Sequence, residues 1–420
     1  MVTINWVQHP VGHGGFHTGH VRRQEAAPPF VWIFDCGAQA LNALKDRLRL
    51  WTDANPLVDW LFISHFDLDH VNGLDTLMSR SKIHTVMVPY VNLEDLALLL
   101  LREASRGRLD RSLTDMAADP AGWLLDRGAE RIIIVGGPED DGDGALFEGP
   151  SPRGDGETPS GYLVKISPAP RPFRGGSQPL ASPASGRSAT ARVETVQGHC
   201  EIHLHALTAR GATEVLRLRP YCQAISASAQ SALLAALTRL VGTPAPAGPS
   251  LGLGELAYAI ARHARSTTGR NGLKALYKSH VGSSNRASMS LLSLPVLPEP
   301  QQRSFVTFVR HAPGWTTRIG ARAWLNTGDA ELLDPAELKA WKMHYGADLA
   351  NVGMLALPHH GSDKNSDAHF QAVAPDALLV AHVRKGASKH PGSAVAAAAG
   401  SRLHCVTSDG GSGVSTELAF

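Results

Sequence analysis

Residues 63–74, ISHFDLDHVNGL, constrain the fold more than any other stretch of this 420-residue chain. The apolar run VDWLF before it reads as a buried strand, and VNGLDTLMSR after it resumes at helical spacing. Two histidines and two aspartates therefore fall where a strand hands over to a helix. Alternate residues of an extended segment point the same way, so His65, Asp67 and Asp69 can converge while His70 opens the helix beside them. Nitrogen and oxygen donors at that spacing begin two adjacent cation sites, whereas a solvated acidic turn needs no histidine at either end.

A strand-loop-helix of this kind needs a helix-covered sheet around it, and the flanking sequence supplies one. FVWIFDCG, KIHTVMVPYV and ERIIIVGG are continuous apolar runs suited to buried strands, separated by amphipathic stretches. This first half extends over residues 1–137. Residues 138–192 are crowded with Gly, Pro and Ser and read as a flexible insertion, interrupted by one short strand, YLVKIS. Residues 193–283 read as a mainly helical insert: CEIHLHALT and VLRLRPY are strand-like, but SASAQSALLAALTRLV and LGELAYAIARHARS carry strong helix formers. From 284 to 420 the strand and helix alternation returns, with Asp334 and Pro335 as the cap and first residue of a helix.

Two later strand ends are candidates for further chemistry, although Gly-Asp by itself is also a common turn dipeptide. In LNTGDAEL, Asp329 follows a glycine that lets the backbone turn sharply; in LALPHHGSDKNS, His359 and His360 end an apolar run and point to different sides. The N-terminal GHGGFHTGH is open between two readings, with His13 either approaching cations or phosphate, or serving as a turn residue. Composition excludes several classes. Forty Lys and Arg against 38 Asp and Glu leave a net charge of +2, so any polyanion must be held locally; Arg102, Arg106, Arg108 and Arg111 in LREASRGRLDR could contact phosphates, with one solvated helix face the stronger reading. Four widely spaced cysteines form no zinc ribbon or disulfide framework, no apolar run is long enough to span a bilayer, and the N-terminus lacks a secretory pattern. A cytoplasmic protein with no membrane association is expected.

SHFDLDH, NTGDA and PHHGS, in this order, resemble the metallo-β-lactamase fold superfamily, and within it the soluble metallo-hydrolase domain of the DNA-uptake ComEC family. HPVGHGGFHTG, IFDCGA, NRASMSL, SKHPG and VTSDGG extend the likeness over residues 1 to about 90 and about 284 to 420, leaving the middle uncovered. The resemblance implies an α/β chain folded as an αββα sandwich with a long, partly helical insertion. It further implies two divalent metal ions, Zn²⁺ or Mn²⁺ with Mg²⁺ as a third option. His65 and Asp67 would bind one, Asp69 and His70 the other, with Asp329 bridging and His359 completing the second site. A water between the cations would lose its proton near neutral pH and attack phosphorus or a carbonyl. Asp69, His360 and His390 are then the candidate catalytic residues, and His13, Asn285, Ser288 and Lys389 the candidate substrate contacts.

The chain departs from the wider pattern at two points. Asp67 stands where a histidine is usual, which hardens the site toward Mn²⁺ or Mg²⁺. A separate histidine between the first motif and Gly-Asp is missing; His203 and His205 are candidates for it, with a structural role on a strand the stronger reading. The expected activity is metal-dependent phosphodiester hydrolysis of DNA or RNA, in nucleic-acid processing or bacterial defence. The rivals are hydrolysis of a lactam, thioester or phosphocholine ester, and a non-catalytic sensor or scaffold that binds a protein partner through the insertion. The oligomeric state stays open.

Overall fold

The long apolar runs of the chain become strands buried on both faces. In a computed structural model the described residues are 1–23, 28–91, 93–136, 156–172, 192–196, 200–208, 211–222, 232–244, 252–280, 288–297, 306–311, 314–319 and 322–420. The N-terminal half runs β1 (Thr3–Gln8), β2 (Gly14–Arg22), β3 (Phe30–Ala38), α1 (Leu41–Ala54), β4 (Leu57–Phe62), α2 (Leu68–Val71), α3 (Leu74–Met78), β5 (Lys82–Pro89), α4 (Leu93–Ser105), α5 (Arg111–Ala118), α6 (Pro120–Asp126) and β6 (Arg131–Val135). The middle contributes β7 (Gly156–Glu157), β8 (Tyr162–Ser167), β9 (Arg171–Pro172), β10 (Arg192–Val196), β11 (Glu201–Thr208) and β12 (Gly211–Tyr221), then α7 (Ala232–Val241), α8 (Glu255–His263) and α9 (Thr267–His280). The C-terminal half adds β13 (Ser290–Pro295), β14 (Val306–His311), β15 (Gly314–Ile319), β16 (Ala323–Asn326), α10 (Pro335–Tyr345), β17 (Val352–Ala356), α11 (Ala368–Gln371), β18 (Leu378–His382), α12 (Ser393–Ala399), β19 (Leu403–Val406) and β20 (Val414–Ala419).

These strands form two sheets. One has the order β15-β14-β20-β1-β2-β3-β4-β5-β6-β10-β9, the other β19-β18-β17-β16-β13-β12-β11-β8-β7. Trp6, Trp32, Trp60, Phe62, Tyr162, Leu204, Leu216, Trp324 and Val380 fill the space between them. Aromatic side chains of this size bury the largest apolar area per residue, so this layer supplies much of the drive to close the sandwich. Helices α1 and α3 to α9 cover the outer face of the first sheet, and α10 to α12 cover the second. The expected αββα sandwich is what forms.

The middle of the chain departs from the expected division. The insert read as mainly helical from residue 193 supplies, with Arg192 before it, β10 to β12, which pair with β6, β8 and β13 inside the two sheets. Much of 138–192 lies outside the described residues, but β8 is an internal strand between β7 and β11. The strand-like pattern of CEIHLHALT and VLRLRPY outweighs the helix formers that follow it because the sheets need partners at their edges. The helical part proper is α7 to α9. It packs on α4, and that accounts for the composition of α4: Leu96 to Leu101 are buried on every side, between the sheet and the added helices. Asp334 caps α10 through Ala336 N and Glu337 N, with Pro335 at the first turn, as the sequence indicates. Among the described residues no helix is long and apolar enough to cross a membrane.

Candidate metal centre

The site is assembled at strand ends. Ser64 and His65 follow β4, Asp67 precedes the short α2 without its side chain capping it, and Asp69 and His70 lie in its single turn. Asp329 follows β16 across the turn at Thr327 and Gly328, and His359 and His360 follow β17. His13 precedes β2. Two sets of donor atoms converge: His65, His70 and Asp329 in one, His13, Asp69 and His360 in the other, each lying within 4.8 Å of one another.

The backbone is bent to serve this convergence. Asp35 (φ 59°), His359 (φ 47°) and His360 (φ 58°) are the non-glycine residues in the left-handed region among those described, and all three are at the site. Such conformations cost of order 1–3 kcal/mol each and persist only where the surroundings impose them. Gly37 permits a close approach: a Cβ there would stand 2.5 Å from the backbone of both Asp69 and His70. Gly328, at φ 54°, is required for the same reason, because its Cβ would overlap Ser288 Oγ.

Hydrogen bonds on the far side of the His65 and His70 rings fix which nitrogen faces the centre. Asp35 is the hub. It accepts from Ser64 N at 2.7 Å, from Ser64 Oγ at 2.7 Å and from His70 Nδ1 at 2.8 Å. That leaves His70 Nε2 pointing at Asp329 Oδ1, 3.5 Å away. His65 Nδ1 lies 2.8 Å from Ser64 Oγ, which turns His65 Nε2 toward Asp329 Oδ2 at 3.6 Å. In the second set Asp69 Oδ2 is 3.5 Å from His13 Nε2 and 3.8 Å from His360 Nε2. His360 Nε2 is also 3.8 Å from Asp329 Oδ1, so the two sets adjoin.

Whether these residues suit a divalent cation is answered by their unused atoms. His65 Nε2, His70 Nε2, both ring nitrogens of His360 and Asp329 Oδ1 are buried without a hydrogen-bond partner among the described residues. Each such atom costs about 1–3 kcal/mol if it stays unpaired. Separations of 3.5–3.8 Å are too long for hydrogen bonds. They lie close to the edge of a tetrahedron of ligands around one metal, about 3.4 Å for bonds near 2.1 Å. The donor sets fit divalent metal.

Electrostatics agree. Burial alone would raise the Asp329 carboxyl, but His359, His65, His70 and His360 around it hold it well below the ordinary range. Burial opposes a charge on His70, yet Asp35 and Asp329 raise its pKa well above the usual value. The same negative field attracts a cation. Burial pushes His13 down to about 4 and His360 well below its ordinary value, so both are neutral imidazoles able to ligate near pH 7.

The grouping differs from the pairing drawn from the resemblance. Asp67 is in neither set: its Oδ2 accepts from Arg102 Nη1 at 2.7 Å and is 3.9 Å from His65 Nε2. Burial raises the Asp67 carboxyl, and Arg102 with His65 more than reverses that, so its pKa falls. His360, expected among the catalytic residues, and His359, expected to complete the second site, are placed differently. His360 is buried among the donors, while the His359 side chain is one-third exposed, with Nε2 3.7 Å from Asp329 Oδ2. The left-handed turn at both residues aims them this way. His13, open in the sequence between approaching cations or phosphate and serving as a turn residue, is grouped with Asp69 and His360 in the second donor set. Ser288, read as a candidate substrate contact, is buried behind the donor residues, accepting from Asp329 N at 2.8 Å with Oγ 3.5 Å from His65 Nδ1.

His390 stacks on His359 at 5.7 Å and meets His13 edge-on at 5.2 Å, which sets it at the rim, and Lys389 beside it is exposed. Asn285 lies outside the described residues. His203 and His205 are on β11, outside both sets; His203 Nδ1 is 2.8 Å from Glu214 Oε1. Three participants escaped the sequence reading. Asp35 stands in the sequence only as an acidic strand end, Ser64 gives no signal beyond its neighbour, and Arg102 sits in a run of arginines that reads as a solvated helix face more readily than as a phosphate contact. The Arg102 side chain is 16% exposed and ion-paired to Asp67.

Residues 31–162 match the family model described as the metallo-beta-lactamase superfamily, whose members are mostly metal-dependent hydrolases. The matched segment spans β3 to the start of β8 and holds Asp35, His65, Asp69 and His70, while His13, Asp329 and His360 lie outside it. Comparison with curated proteins finds no match to the chain.

Proposed function

We propose that this protein is a metal-dependent hydrolase that cleaves phosphodiester bonds, with DNA or RNA as its substrate class. The observation that carries this reading is the pair of adjoining donor sets, His65, His70 and Asp329 beside His13, Asp69 and His360. Two divalent cations held there would lower the pKa of a bound water and offset charge building on phosphoryl oxygens. The chain's own residues orient the reaction. Asp35 and Ser64 lock the His70 and His65 rings so that each Nε2 faces inward. His359, His390 and Lys389 form a rim open to solvent, where a substrate's leaving oxygen can meet a proton donor. Mixed imidazole and carboxylate donors suit Mn²⁺ or Zn²⁺. The order SHFDLDH, NTGDA, PHHGS, similar to the ComEC metallo-hydrolase domain, favours a phosphodiester over a lactam.

The test is titration of the full chain with Mn²⁺ and Zn²⁺ against single-stranded, duplex and circular nucleic acids, with a chromogenic lactam as control. Metal-dependent cleavage of nucleic acid that falls at least a hundredfold in Asp329→Asn supports the reading. Turnover of the lactam alone, or none on any substrate with metal bound, overturns it.

A further inference from the structure

Arg102 stands near the end of α4, and its guanidinium reaches the edge of the metal centre. Nη1 donates to Asp67 Oδ2 at 2.7 Å and Nε to Glu103 Oε1 at 3.0 Å. Glu103, whose side chain is 1% exposed, is gripped further by Arg106 Nη1 at 3.3 Å and Arg108 Nε at 2.9 Å. The guanidinium is thus held at both ends. A guanidinium has five N–H donors. These two bonds are the ones it makes among the described residues, so donors remain for a ligand, on a side chain that keeps some access to solvent.

The local charge also favours an anion. Three guanidinium groups, Arg102, Arg106 and Arg108, face two carboxylates, Asp67 and Glu103, in a chain that is otherwise close to neutral. Asp67 stands within the donor-rich loop yet belongs to neither set, and its shortest polar contact is to Arg102. Helices α8 and α9 pack against α4, so the inserted helices hold the element that carries the arginine.

We propose that Arg102 is the anion-recognising, specificity-determining residue of this site, and that Asp67 anchors its guanidinium instead of ligating a metal. A planar fork with donors to spare matches two non-bridging oxygens of a phosphodiester, a pairing that lysine does not reproduce. The substrate class rests on the phosphodiester reading; the role of Asp67 does not.

The experiment uses the full-length protein and the variants Arg102→Gln, Arg102→Lys and Asp67→Asn, with circular dichroism to verify folding. Two quantities are read: metal equivalents retained after dialysis against Mn²⁺, and affinity for inorganic phosphate by calorimetry on the metal-loaded protein. Kinetics on bis(p-nitrophenyl) phosphate are then split into KM and kcat. All variants are expected to retain the wild-type metal equivalents. Arg102→Gln and Asp67→Asn should weaken phosphate binding and raise KM at least tenfold with a smaller change in kcat, and Arg102→Lys should fall between them and wild type. Loss of a metal equivalent in Asp67→Asn, or unchanged phosphate affinity in both Arg102 variants, overturns the proposal. If the wild type cleaves no phosphodiester, the hydrolytic reading fails, while metal content and phosphate affinity still decide the roles of Asp67 and Arg102.

Discussion

Asp35 shows how a residue that need touch no metal can govern one. Its carboxylate takes three hydrogen bonds, two from Ser64 and one from His70 Nδ1, and so sets the direction of two imidazole rings at once. Partners of this kind raise ligand basicity and are worth roughly 10–100-fold in metal affinity. Asp35→Asn should weaken metal binding by about that factor while keeping the fold, because asparagine tolerates the left-handed backbone at φ 59°. Competition against a chromophoric chelator reads the change, and an unaltered affinity would contradict the role assigned here. In the sequence Asp35 was only one acidic residue at a strand end. Its weight comes from Ser64 and His70, about thirty residues further on and adjacent only in space.

At the scale of elements, the decisive contact is β3 against α2. Gly37 on β3 lies against the backbone of Asp69 and His70, where a methyl group would stand at 2.5 Å from both. Gly37→Ala should therefore destabilise the fold by about 1–3 kcal/mol and loosen metal binding together, since the turn bearing two ligands must move. Gly107 after α4 offers the control: it too has a positive φ, of 68°, but nothing lies within 4 Å of its Cβ position. Gly107→Ala should cost only the left-handed backbone penalty of about 1 kcal/mol and leave metal affinity unchanged. Thermal melts with and without Mn²⁺ separate the two effects. The glycines were legible in the sequence; which of them carried a neighbour was not.

Across the whole molecule, the burial that builds the sandwich also makes it sensitive to acid. Burial lowers His9 to about 3, His17 well below its ordinary value and His20 below it, with neighbouring charges adding to the shift in His9 and His17. A depressed folded-state pKa means that the unfolded chain binds the proton first. The stability these residues contribute is complete above pH about 6.5 and is lost as the pH falls toward the folded values. At pH 5 a histidine such as His9 costs on the order of 2 kcal/mol. Urea midpoints should drop from pH 7 to pH 5, and His17→Phe, which keeps an aromatic ring against Trp324, should flatten that drop. An equal drop in the variant would remove His17 from the account.

The sequence by itself determined the strands, because long apolar runs have nowhere to go but between two layers, and it marked His65, Asp67, Asp69, His70, Asp329 and His359 as candidate donor residues at strand ends. Only the tertiary structure decided which donors share a set. The choices of His360 over His359, His13 over Asp67, and Arg102 as the partner of Asp67 depend on left-handed turns and on contacts between residues 35 to more than 300 positions apart. Periodicity reports the face of an element on which a side chain lies. It carries no information about which distant side chain will be brought to meet it, and at this site that meeting is the chemistry.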